Sequence, residues 1–282
     1  MRNIVTMQRL LKDELIEAVV NHQLELHYQP QVRLQGHTPC GAEALLRWNH
    51  PTRGILMPAA FLSVLETHTL ALQVGCWIID EACRQVAEWR ATGHPEFRVS
   101  VNLFAAQVND DNLPGTVAET LARHGLPPDA LEIEVTETIV LDHDERALQT
   151  LRLLHAMGVR IAFDDFGTGY ASLSMLTRFP LTTLKIDRSF IRNLGPSGND
   201  HAIVRALVSM GREMGLDVIA EGIETISQQE ILRTLGCEIG QGYLYSKALP
   251  IEAFCQLLAT GTRRDASASP AATQAGRARS AS

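Results

Sequence analysis

"LELHYQPQVRLQGHTPCGAEALLRW", residues 24–48, holds two strand patterns, 24–34 and 39–48, joined only by "QGHT". Four residues are far too few for the crossover that returns a strand parallel to its predecessor, so the pair reads as an antiparallel hairpin. From about residue 95 the pattern changes: short β-branched runs alternate with longer helical patterns, and turn signals separate them. The strand candidates are "FRVSVNLF" (97–104), "LEIEVTE" (131–137), "RIAFDD" (160–165), "TLKID" (183–187), "DVIAE" (217–221) and "IGQGYLY" (239–245). Eight strands with no break in composition between them fit one closed (β/α)8 barrel of the TIM type better than two domains. The hairpin makes that α/β barrel irregular.

Helical punctuation supports the same reading. "MQRLLKDELIEAVV" (7–20) reads as an N-terminal helix, and helical patterns near 59–66 and 72–92 follow the hairpin. Asp142 and Glu145 have capping-box spacing ahead of Leu148, Leu151 and Leu154, with Gly158 at the helix end. Ile203, Leu207, Met210 and Met214 mark one helical face that Gly215 stops. The expected organisation is a helix or linker over 1–23, a barrel over 24–260, and a disordered tail over 261–282, rich in Ala, Ser and Arg without apolar period.

Bulk properties narrow the function. With 45% hydrophobic residues the chain supports a substantial core, and a formal net charge of −7 argues against nonspecific nucleic-acid binding, so no DNA partner is expected. Five scattered cysteines without a C-x-x-C pair make a disulfide framework or thiolate zinc site a poor fit, and a reducing cytoplasm the expected location. No signal-peptide pattern and no apolar run of bilayer length is visible.

In a parallel barrel the working face is the C-terminal end of the strands. The polar residues there are Glu43, Asn102, Glu134, Asp164 with Asp165, Lys185, Glu221 and Gln241. Any one alone is ordinarily a cap, a turn residue or a snorkelling lysine. Together they require independent accidents to converge on one rim. Carboxylates crowded at one mouth repel one another, so their pKa values rise or cations neutralise them. The donors are all oxygens, which points to Mg²⁺ or Mn²⁺ rather than zinc, and the adjacent Asp164–Asp165 pair suits two ions, as in phosphoester hydrolysis. In "DDFGTGYASL" (164–173) two glycines follow that pair, as a mobile loop over a site requires. Asp-Phe-Gly without a Gly-rich phosphate loop, H-R-D loop or V-A-I-K strand excludes a kinase. His143–Asp144 reads as part of a helix cap.

At this point the series "YQP" (28–30), "EALLRW" (43–48), "SVN" (100–102), "EVTE" (134–137), "DDFGTGYASL" (164–173), "LKID" (184–187), "AEGIE" (220–224) and "GQGY" (240–243) is identifiable. The chain resembles the EAL-domain family of bacterial cyclic di-GMP phosphodiesterases from about Leu24 to Phe254. The resemblance implies an eight-stranded barrel with one antiparallel strand and two divalent metals that hydrolyses cyclic di-GMP to linear pGpG, lowering a second messenger of biofilm and motility control. It implies Glu43, Asn102, Glu134 and Asp164 as ligands of the first metal, with Asp164 bridging to a second that Asp165 and Glu221 also serve. Lys185 would orient the attacking water or help deprotonate it, and Glu137 would hold the 164–173 loop. Gln29, Arg47 and Gln241 would contact substrate, with Asp187 and Glu224 supporting the site. Glu43 is then a strand-end metal ligand, Arg47 a partner for a phosphate, and Trp48 packing. Phe104, Ala171, Thr69 and Ala248 depart from the family pattern without removing a ligand. A homodimer and an upstream regulatory domain or protein are expected by resemblance only. The alternative is a catalytically silent domain that binds cyclic di-GMP or a protein. No G-G-D/E-E-F signature of cyclic di-GMP synthesis is present.

Overall fold

The structure, a computed structural model, describes residues 2–67, 69–136, 139, 144–167 and 173–266; of residues 2–9, 144, 173–174 and 261–266 it describes the backbone. The strands are β1 (Leu24–Arg33), β2 (Pro39–His50), β3 (Gly54–Leu56), β4 (Arg98–Asn102), β5 (Leu131–Thr136), β6 (Arg160–Phe166), β7 (Thr183–Ile186), β8 (Asp217–Ala220) and β9 (Ile239–Gln241). Neighbours follow the order β1-β9-β8-β7-β6-β5-β4-β2, and β1 pairs with β2 to close the barrel. β1 runs antiparallel to both of its neighbours, whereas the pairs from β2 and β4 round to β8 and β9 are parallel. This is the irregular TIM-type barrel that the short "QGHT" connection implied. The three-residue β3, not anticipated from sequence, folds back on the end of β2 outside the closed sheet.

Strand alternation here separates two buried faces rather than core from solvent. Val99, Val101, Ile133, Val135, Ile161, Phe163, Leu184 and Ile186 are fully buried in the apolar core with the helices. Their neighbours Ser100, Glu132, Glu134, Asp164, Thr183 and Lys185 are buried too, and they are polar. These interior residues join across strands. At the floor, Thr183 Oγ1 donates to Glu132 Oε2 at 2.5 Å, and Arg160 bridges Glu132 and Asp217 at 3.2 and 2.7 Å.

The hairpin is anchored on its outer side by an aromatic cluster: Tyr28 meets Trp89 edge-on at 4.9 Å, and Phe254 lies 4.8 Å from Trp89. Trp48 is fully buried, packs edge-on against Phe61 and donates its indole N–H to Gln23 Oε1 at 3.1 Å, as a packing residue would. The helix Asp144–Ala156 buries Leu148, Leu151 and Leu154, and Gly158 beyond it has φ +94°. Asp142 of the expected cap, Glu137 and Ala171 lie outside the described residues.

Three expectations shift. The helix Asn199–Glu213 buries Val204, Leu207, Val208 and Gly211, while Ile203 and Met214 are exposed. A Cβ on Gly211 would fall 2.4 Å from Val218, so the helix seats its glycine against β8 and turns Ile203 outward. β9 stops at Gln241 rather than 245, because the chain wedges against the β8 loop: a Cβ on Gly242 would lie 2.2 Å from the Ile223 carbonyl, and Leu244 N donates to that carbonyl. The last helix runs Ile251–Ala266, past the expected boundary at 260, and 267–282 lie outside the described residues. All five cysteines are free. Among the described residues no helix is long and apolar enough to cross a membrane.

Candidate active site

Lys185 lies at the hub of the barrel mouth. Its position on β7 directs it inward beside the ends of β5, β6 and β8, and it is 0% exposed. The Nζ atom lies 2.9 Å from Glu134 Oε2, 2.9 Å from Asp164 Oδ1, 2.7 Å from Glu221 Oε1 and 3.6 Å from Glu43 Oε2. One ammonium cannot neutralise that set. Burial, and then the nearby Glu43, holds Glu134 well above the usual carboxylate range. Burial pushes Glu221 up to about 8 although Lys185 pulls the other way. Burial alone would depress Lys185, but the surrounding carboxylates hold it well above the ordinary lysine value. All three directions express one condition: the mouth carries negative charge in excess of its protein cations.

Amides lock the orientation of Glu43. Asn102 donates its Nδ2 hydrogen to Glu43 Oε1 at 3.1 Å, and Gln241 Nε2 donates to Glu43 Oε2 at 2.6 Å and to Gln29 Oε1 at 3.1 Å. Gln29 stands opposite Glu43 in the β1–β2 register and donates in turn to the Ser246 carbonyl at 3.2 Å. The hairpin geometry is therefore what delivers Gln29 to the site.

Adjacent residues on a regular strand point to opposite faces, so Asp164 and Asp165 should not be able to meet. The β6–β7 register slips between Phe163 and Phe166, and Asp165 adopts φ +53°. That left-handed residue in a bulge, a conformation Asp tolerates better than most side chains, returns the second carboxylate to the same side. Oxygens of Asp164, Asp165 and Glu221 consequently lie within 4.8 Å of one another. Asp165 is pushed up to about 6 by partial burial, then by Asp164 and Asp187. Asp187 caps the helix Arg188–Arg192 through Ser189 N at 2.9 Å; burial would raise it, but that bond and others hold it below the usual range.

The site's donor chemistry fits a divalent cation. Every candidate ligand offers oxygen. Glu134 Oε1 and Gln241 Oε1 are buried without a hydrogen-bond partner among the described residues, and buried acceptors left in that state are costly. Asp164, Asp165 and Glu221 could hold one ion, with Glu43, Asn102 and Glu134 beside them for another.

The structure thus gathers Glu43, Asn102, Glu134, Asp164, Asp165, Lys185, Glu221, Gln29 and Gln241 in one place, with Asp187 behind Asp165. Glu224 lines the rim of the cavity of about 220 Å³ that opens above them. Arg47 is buried, its guanidinium donating to the Leu46 carbonyl at 2.8 Å; burial pulls its pKa down, while Glu43 opposes that. Sequence reasoning missed Arg188 and Tyr243 in the cavity wall. Arg188 could have been found as the residue directly after "LKID", where the strand end hands over to the mouth.

The EAL domain family model matches residues 12–248. The chain is 45% identical over 253 residues to the bifunctional diguanylate cyclase/cyclic di-GMP phosphodiesterase MucR of Pseudomonas aeruginosa, covering 90% of this chain and 36% of that protein. To the cyclic di-GMP phosphodiesterase NbdA of the same organism it is 39% identical, covering 90% of this chain and 32% of that one. It spans about a third of the length of these curated relatives. The solved "PaMucR Phosphodiesterase, c-di-GMP complex" superposes with a TM-score of 0.82 at 44% identity, covering 87% of this chain and 99% of that one. A match that runs through every strand of the barrel and every carboxylate at its mouth leaves one assignment: the chain belongs to the EAL domain family.

Proposed function

We propose that this domain is a divalent-metal-dependent phosphodiesterase that hydrolyses cyclic di-GMP to linear pGpG. The observation that carries the proposal is the convergence of four carboxylates on one buried ammonium, with Asp165 beside two of them and buried acceptor oxygens left unpaired. Relatives named as cyclic di-GMP phosphodiesterases supply the substrate. Glu43, Asn102, Glu134 and Asp164 would hold one Mg²⁺ or Mn²⁺, and Asp164, Asp165 and Glu221 a second. When bound, such ions activate a water and offset charge on the phosphoryl group.

The protein's own residues set the geometry for that chemistry. Lys185 holds Glu134, Asp164 and Glu221 in register from beneath, where it would orient the attacking water or help deprotonate it. Gln241 and Asn102 fix both oxygens of Glu43. Gln29 and Arg47 lie on the hairpin side, where the substrate would be oriented, and Asp187 and Glu224 support the opposite side. In the reaction the water oxygen bonds to phosphorus, the ester bond to the 3′ oxygen breaks, and that oxygen leaves with a proton. The product keeps a 5′-phosphate.

The test is chromatography of nucleotides after incubation with cyclic di-GMP and Mg²⁺ or Mn²⁺. A pGpG peak that disappears in EDTA is the expected result. Intact cyclic di-GMP retained by the protein would replace this reading with that of a receptor.

A further inference from the structure

Resting on that reading, the geometry points to Arg188 as the residue that holds the second, unreacted phosphate of the dinucleotide. The cavity wall includes Glu43, Asp164, Glu221 and Glu224, and Arg188 is its single cationic lining residue among those described. Lys185 is fully buried beneath the carboxylates, and Arg47 is buried with its guanidinium on a backbone carbonyl. Arg188 is instead exposed, and no ion-pair partner is found for it among the described residues.

Its placement is built into the backbone. Asp187 ends the run from β7 and caps the short helix that Arg188 begins. Across from it Gly222 adopts φ +68°, and a Cβ there would meet the Arg188 Cβ at 2.4 Å and its Cα at 3.2 Å. The β8 loop therefore approaches Arg188 as closely as only glycine permits, and so brings it to the rim beside Glu221. A guanidinium at the edge of an acidic cavity, without a carboxylate of its own among the described residues, matches a phosphate oxygen pair in a way that an ammonium would not. The substrate has two phosphates, and the proposed reaction takes place at one of them. Arg188 supplies the recognition of the other, and so selects a cyclic dinucleotide over a simple phosphodiester.

The test compares wild type, Arg188→Ala and Arg188→Lys on two substrates, cyclic di-GMP and bis(p-nitrophenyl) phosphate, which has a single phosphate. The expected result is a KM for cyclic di-GMP raised about tenfold or more in Arg188→Ala, with kcat kept within a factor of about two. Arg188→Lys recovers part of that loss, and the KM for bis(p-nitrophenyl) phosphate does not change. Equal losses on both substrates would assign Arg188 to the reacting phosphate or to the fold, and an unchanged KM for cyclic di-GMP would remove it from the site; either result overturns the proposal. If wild type binds cyclic di-GMP without cleaving it, the functional reading fails separately, and the same tenfold loss is then read as Kd by calorimetry. Thermal melts of the variants that coincide with wild type show that the fold is intact.

Discussion

Replacing Lys185 by methionine keeps most of the apolar stem of the side chain and removes the ammonium, with its charge and its donors. In the wild-type barrel that charge lies within 3 Å of three carboxylates and 3.6 Å from a fourth, with no exposed surface. Removing one partner of a buried ion pair costs about 3–5 kcal/mol, because the other charge is left buried without compensation. For a domain of this size each kcal/mol moves Tm by about 2–4 °C, so a fall of roughly 6–20 °C is expected in EDTA at a pH of about 8.5. A divalent cation takes over part of the neutralisation, and the gap between variant and wild type should shrink when Mn²⁺ replaces EDTA. Circular dichroism melts of the two proteins in both conditions measure this. Melts that coincide in EDTA would refute the view that Lys185 balances the mouth carboxylates. A gap unaffected by Mn²⁺ would refute the view that metal and lysine serve the same charge.

Other consequences follow from the same geometry. Glu43→Ala removes a residue held by both Asn102 and Gln241, and turnover of cyclic di-GMP should fall at least about 100-fold with the melting curve little changed. Gly222→Ala meets both a positive φ and a 2.4 Å contact with Arg188; it should destabilise the protein by more than about 1 kcal/mol in denaturant titration and raise KM as well. Glu221 has a folded value of about 8 against 4.5 as its reference, so the folded state favours its protonated form. Its contribution is present below the unfolded value and lost as pH rises through about 8, so the metal-free protein should weaken by a few kcal/mol between roughly pH 5 and pH 9. Added Mn²⁺ should stabilise most at the alkaline end, which urea titrations at several pH values would show.

Much of this was legible because the barrel's strands write their two faces in different alphabets. Apolar residues such as Val99, Val101, Ile133 and Val135 alternate with Ser100, Glu132 and Glu134, and the polar ones nearest the strand ends mark the mouth. The short "QGHT" connection fixed the antiparallel hairpin for a purely geometric reason. What sequence could not show depends on backbone detail and register. The left-handed Asp165 and the β6 bulge decide whether two neighbouring aspartates can share a site, and nothing in the pair "DD" announces them. The buried face of Asn199–Glu213 rotated because Gly211 packs on Val218, a contact between distant residues. Arg188 escaped notice because its value lies in the close approach of Gly222, which only the folded chain creates. Gln29 was named by resemblance, and the structure supplies its physical reason: it stands across the ladder from Glu43.

If the oxygen atoms at the barrel mouth form a divalent-metal centre, Mn²⁺ should be visible among them. An anomalous difference map from crystals grown with Mn²⁺ tests it most directly. Two peaks are expected, one flanked by Glu43, Asn102, Glu134 and Asp164 and the other by Asp164, Asp165 and Glu221. A map without density at the mouth, with Lys185 still bridging the carboxylates, would contradict it.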